Sequence, residues 1–259
     1  MTALAAFIGR YGAETVSFML VFGRALGLMV GAPFWGGRAL PVVVRIWVAL
    51  LLAVAVFPSV PAASVADLTV LALVLFLGGE ILLGLTLGWT AQVLFAGMRL
   101  AGQQIEVKSG LGLVSLVDPH EGGHSGIFAV FLELAAGLIF LALDGHLQLV
   151  QALLSSYAVF PPAGTGSFAG RLLEGVVASG TEIFAIALRV SAPVLVGLLL
   201  SDIVLGVLSR AIPQMNVFMV AQPLQFGVAL LLLMLSLPAL AWLIARQLAA
   251  GAGFPAAAG

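Results

Sequence analysis

Residues of the types that do chemistry are sparse in this 259-residue chain, and their spacing points away from catalysis. His120, His124 and His146 invite a metal reading, and His120 and His124 flank Glu121 at the four-residue spacing of one helix face. Gly122-Gly123 lies between them and argues against a helix, and zinc needs roughly three or four well-placed ligands. No G-x-S-x-G elbow occurs, the H-E-x-x-H pattern of His120 to His124 has two glycines where the motif needs a helix, and Lys108-Ser109 lacks the upstream glycines of a phosphate-cradling loop. The absence of cysteine removes disulfides, thiolate metal sites and cysteine nucleophiles. The expectation is a non-enzyme with no metal and no cofactor.

The remaining charges have a different character. Arg24, Glu80, Glu133, Asp144, Glu182, Arg189 and Asp202 all lie inside runs otherwise apolar enough to cross a membrane. One such charge facing lipid costs about 2.5–3.5 kcal/mol on insertion scales, so the set must face a wet cavity, one another or a partner subunit. Glu182 and Arg189 are seven residues apart and share a helical face; Asp202 and Arg210, eight apart, are again nearly in line. One reading is an internal polar seam satisfied by neighbouring helices. Another is the ion path of a proton-coupled secondary transporter using Glu80, Asp144, Glu182 and Asp202. Against the latter, no two of these four acids sit one turn apart, and the chain shows no corresponding halves. Charge pairing across subunits accounts better for scattered single charges.

The elements that carry these residues follow from composition. Hydrophobic residues make up 62% of the chain and charged residues 8%, against roughly a quarter charged in soluble domains. The chain therefore belongs in or against a bilayer. A single lysine and a net charge of −1 leave no footprint for nucleic acid. Met1 to Ala6 has no positive region of a signal peptide, so the apolar segments are expected to be retained. Six of these are legible, at 15–34, 39–58, 65–98, 127–154, 172–208 and 217–246. All are expected to be helices, because a lipid-exposed backbone must satisfy its own hydrogen bonds. At about 1.5 Å per residue, 65–98 and 172–208 exceed roughly 50 Å; Gly78-Gly79 and Pro193 offer break or kink points, and either these helices are broken or part of the protein lies outside the bilayer among other apolar surfaces. Counting Arg and Lys at the segment ends favours the side of Arg38, Arg45, Arg99, Lys108 and Arg210 as cytoplasmic.

Gly23, Gly27 and Gly31 recur every four residues, as do Gly84 and Gly88, making smooth strips where another backbone can approach closely. Whether that backbone belongs to this chain or to another subunit is open at this point. Between the third and fourth segments, the run Gly110-Leu111-Gly112-Leu113-Val114-Ser115-Leu116-Val117-Asp118-Pro119 is apolar yet glycine-broken. Irregular apolar backbone is tolerated at membrane depth only when buried in protein or lining a cavity. A re-entrant loop or plug is the physical reading, with a short interfacial loop as the alternative. Between the last two segments, Ser209 to Phe218 forms the tip of a helical hairpin carrying Arg210, Gln214 and Asn216. Amides there can hydrogen-bond a neighbouring hairpin without the full cost of burying a charge.

At these residues the chain resembles the FliR family of flagellar biosynthesis proteins, which shares its export-gate family with components of virulence secretion systems. The match is collinear. It runs through Arg24 to Pro33, Arg38 to Pro41, Arg45, Gly84 to Gly88, Gly110 to Pro119, Leu143 to His146 and Ser209 to Leu224. The sequence departs at Gln222, where relatives often have Gly, and at Gln225, where many have Lys. The resemblance implies an all-α, membrane-associated subunit of helical hairpins with broken or kinked helices. It implies one domain over 1–259, with N-terminal helices in 1–171, a plug-like loop at 108–124 and a C-terminal hairpin at 172–246. It further implies assembly with the P and Q subunits of the export gate and with the B subunit of the apparatus. The site implied is the inner membrane at the flagellar basal body, and the cargo unfolded flagellar proteins. Gly110 to Pro119 would be the pore plug. Gly23, Arg24, Gly27, Gly31, Glu80, Asp144, Glu182, Arg189, Asp202, Arg210, Gln214 and Asn216 would serve subunit contact.

Overall fold

The computed structural model describes residues 2–33, 41–60, 70–111, 126–162, 169–212 and 216–251. All regular structure among them is helical: α1 (Thr2–Gly31), α2 (Val42–Val56) with a 3-10 turn at Phe57–Ser59, α3 (Val70–Lys108), α4 (Ile127–Ala142), α5 (Gly145–Val159), α6 (Ala169–Ala211) and α7 (Val217–Gly251). Among the described residues, five helical stretches are long and apolar enough to cross a membrane: Gly12–Gly31, Val42–Ser59, Val70–Lys108, Val177–Ala211 and Met219–Leu248. The pair α4 and α5 makes a sixth if the two count as one broken span. Large apolar side chains such as Val70, Leu75, Leu138, Val207 and Leu235 are exposed along these helices, the surface of a protein whose solvent is hydrocarbon.

The break falls elsewhere than the glycines and prolines suggested. Both long helices run on through these points: α3, 39 residues in all, through Gly78-Gly79 and α6, 43 residues in all, through Pro193. In an apolar medium the backbone has no other hydrogen-bond partner, so glycine's entropic cost and proline's one missing bond do not end a helix. The apolar run 127–154 is instead two helices. Asp144 takes a left-handed φ of 54° and restarts the chain by accepting at its carbonyl from Leu147 (2.9 Å) and Gln148 (3.2 Å). Asp is among the few residues besides Gly that visit this region routinely.

The chain divides into two compact units. The first comprises Met1–Gln92, Asp144–Ala178 and Leu248–Gly259. Its core gathers Val21, Leu28, Ala49, Ala53, Leu153 and Tyr157, with Phe18 edge-on to Phe57 at 5.5 Å. Here the glycine strips find their partners: each other. Cβ atoms at Gly27 and Gly84 would overlap Ile81 O and Arg24 O respectively, one at Gly31 would overlap Leu85 O, and one at Gly88 would overlap the Gly31 backbone. The strip of α1 therefore packs on that of α3 within this chain. The second unit comprises Val93–Leu143 and Ser179–Gln247. Gly102 lets α3 touch the first turn of α4 at Ala129, and Phe95 meets Phe140 edge-on at 5.6 Å.

Candidate functional site

In the first unit, α1, α3 and α5 converge on Arg24, which is wholly buried. Its Nε donates to Glu80 Oε2 at 2.6 Å, Nη1 to Ser156 Oγ at 2.9 Å and Nη2 to the Phe160 carbonyl at 2.9 Å. The guanidinium carbon lies 4.1 Å from the Tyr157 ring centroid, within cation–π range. Tyr157 in turn donates from its hydroxyl to the Val21 carbonyl at 3.3 Å. Glycine packing brings α1 and α3 close enough for Arg24 to reach Glu80. The buried charge is thus compensated by an ion pair, two further acceptors and an aromatic face.

In the second unit a polar seam follows the last three turns of α3. Arg99 pairs with Glu133 of α4 through both carboxylate oxygens, and Ser191 of α6 donates to Gln104 Oε1 at 2.7 Å. Glu106, nearly buried, accepts at Oε1 from the backbone N–H of Phe128 at 2.7 Å and sits where a Cβ of Gly126 would be. A carboxylate at a helix start satisfies orphan N–H groups and complements the positive end of the dipole. Two residues on, Lys108 Nζ donates to Asp202 Oδ2 of α6 at 2.5 Å, and Gln225 Nε2 of α7 donates to Asp202 Oδ1 at 2.5 Å. Gly110 ends α3 with φ of 77° and lies against the Gln222 amide, a cap that any L side chain would strain.

Residues 15–251 match the family described as Bacterial export proteins, family 1. The chain belongs to this family. It is 32% identical over 218 residues to flagellar biosynthetic protein FliR of Escherichia coli (strain K12), covering 84% of this chain and 83% of that protein. FliR of Bacillus subtilis (strain 168) is 32% identical over 223 residues, 84% of each. Yop proteins translocation protein T of Yersinia pestis is 27% identical over 222 residues, 85% of each. As a member of the export family, this chain is a helical membrane component of bacterial protein export, and its relatives carry the names of export and translocation proteins.

Across this family member, the residues singled out by sequence do not form one cluster. Gly23, Gly27, Gly31, Arg24 and Glu80 meet inside the first unit, at the α1–α3 contact. Asp144 forms the exposed turn between α4 and α5. In the second unit Glu182 accepts from Gln247 at 2.5 Å and stands 3.8 Å from Arg189, as their seven-residue spacing predicts. Asp202 pairs with Lys108 rather than with Arg210, which is exposed with Asn216 near the α6–α7 turn. Of the plug-like run, Gly110 and Leu111 are described; Gly112 to Pro119 lie outside the described residues, as do Gln214, His120 and His124. Sequence reading missed Glu106. Its only signal was an acid one turn before a glycine-rich interruption, at the end of an apolar helix. Gln225 was read as a departure from the family; its amide donates to Asp202 while Lys108 supplies the cation.

Proposed function

We infer that this chain is a non-catalytic core subunit of the flagellar type III protein export gate. It assembles with the P and Q subunits, and with the B subunit of the apparatus, into a pore for unfolded flagellar proteins in the inner membrane at the basal body. The observation that carries the reading is family membership across residues 15–251. Charge placement supports it. Arg24, Glu80, Glu106 and Asp202 each engage groups of this same chain, so these carboxylates do not line up as a proton relay. The exposed Arg210 and Asn216, at the hairpin tip, are assigned to contact with a neighbouring subunit, and residues 110–119 to sealing the pore.

Native mass spectrometry of the gently solubilised protein, co-expressed with its chromosomal neighbours, tests the assignment. One copy of this chain among several small helical subunits is expected. A lone monomer or homodimer, under conditions that preserve such complexes, would sink it, and proton-driven solute uptake by the chain alone would replace it with the transporter reading.

A further inference from the structure

We propose that the cleft between α6 and α7 at Arg189 holds an anionic phospholipid, with the phosphate on the guanidinium and the upper acyl chain along the groove. Arg189, Val190 and Pro193 face Ala239, Leu240 and Leu243 across it. The cleft has about 70 Å³ of room, well above the roughly 10–15 Å³ that one water needs on the same measure, so it accepts a few methylenes of a chain lying over it.

The chemistry at its mouth suits a phosphate ester. The Arg189 side chain is 58% exposed, and its ion-pair partner Glu182 stands 3.8 Å away, beyond hydrogen-bond reach. Glu182 Oε1 is already engaged by Gln247 at 2.5 Å, leaving the planar fork of Arg189 donors for another acceptor. Pro193, four residues on, has no N–H, so the Arg189 carbonyl loses its usual helical donor and offers an acceptor for a glycerol or headgroup hydroxyl. Arg246, one turn beyond Leu243, lies 5.5 Å over the ring of Trp242, which is 63% exposed. Two guanidiniums against one carboxylate leave this level net positive.

Depth along the hairpin agrees. At about 1.5 Å per residue, Arg189 to Arg210 on α6 measures about 32 Å and Gln222 to Trp242 on α7 about 30 Å, one hydrocarbon thickness. Arg and Trp at the ends of such a span mark the membrane–water interface, where lipid phosphates lie. The exposed apolar faces flanking the cleft, at Leu188, Val196 and Leu235, would carry the rest of the acyl chains.

The test is native mass spectrometry of the full chain released from micelles doped with phosphatidylglycerol or with phosphatidylcholine of the same acyl chains. Retention of phosphatidylglycerol over phosphatidylcholine is expected. Arg189→Gln should lower that retention about tenfold or more, the equivalent of one charge-assisted hydrogen bond of about 1.5 kcal/mol. Arg189→Lys should keep part of it, and Glu182→Gln should raise it by removing the competing charge. Ala239→Phe, which fills the groove and spares Arg189, should reduce it and keeps the test decisive if Arg189→Gln does not fold. Equal retention of both lipids overturns the proposal, as does unchanged retention in the Arg189→Gln and Ala239→Phe variants. Displacement of the lipid by inorganic phosphate would reduce the site to a free-anion site. A photocrosslinker at position 189 that captures a neighbouring subunit in the assembled complex, and no lipid, would assign Arg189 to a protein carboxylate instead.

Discussion

Replacing Arg24 with alanine tests the buried centre of the first unit most severely. The guanidinium is wholly buried, and the Glu80 side chain it pairs with is 5% exposed. Removing the cation takes three donated hydrogen bonds, to Glu80, Ser156 and Phe160, and the face contact with Tyr157. It also takes the Arg24 cation from a buried carboxylate, a change that costs about 3–5 kcal/mol in comparable pairs. That is a factor of about a hundred to several thousand in the folded-to-unfolded ratio. The double variant Arg24→Met, Glu80→Leu removes both charges together. It should cost only about 1–3 kcal/mol, chiefly for the acceptors at Ser156 and Phe160 that lose this donor. The assay is unfolding of the full chain in detergent, followed by its tryptophan fluorescence, alongside its level in membranes. Arg24→Ala is expected to lower both sharply and the double variant to restore most of the loss. An unchanged unfolding midpoint in Arg24→Ala, or a double variant as unstable as the sum of the singles, would refute the compensated-pair account.

Three further outcomes are expected. Gly84→Ala drives a Cβ into the Arg24 carbonyl and should destabilise by about 1–3 kcal/mol through overpacking, whereas Gly78→Ala, with nothing within 4 Å, should be neutral or stabilising; equal unfolding midpoints would count against the α1–α3 contact. Exchanging the charges as Lys108→Asp with Asp202→Lys should recover most of the stability lost in Asp202→Asn, read in the same unfolding assay, because the 2.5 Å pair is then restored with its polarity reversed. Deleting residues 110–119 should raise the resting ion leak of liposomes containing the assembled complex, and an unchanged leak with normal assembly would remove the sealing role from that segment.

Helical content and the approximate extent of the spans were legible because membrane burial leaves the backbone no alternative to helix. Hydrophobicity averaged along 127–154 could not place the break at Asp144, because the apolar residues on either side outweigh Asp144, His146 and Gln148. The break depends on a left-handed φ that Asp tolerates, beside Gly145. The glycine strips were visible as spacing, yet spacing carries no address. Only coordinates show that Gly84 faces the Arg24 carbonyl of the same chain. The seven-residue spacing of Glu182 and Arg189 predicted their common face, since that interaction is local to one helix. Lys108 with Asp202, and Glu106 with the start of α4, are contacts between distant segments, and periodicity within a helix is silent about those.

The length of α3 bears on what covers the protein. Its apolar part, Val70 to Met98 ahead of the polar last three turns, makes about 43 Å of helix, and Val70, Leu71, Val74 and Leu75 at its start are exposed. A straight helix of that length would need a tilt of about 46° to lie wholly within a hydrocarbon core of about 30 Å, outside the observed range of roughly 0–40°. Acyl chains therefore cannot cover the whole apolar length of α3, and water would expose it at about 25 cal/mol per Å². Apolar protein surface is the remaining cover. A gate subunit packed among other small helical subunits supplies that surface, whereas a lone transporter spanning one bilayer does not.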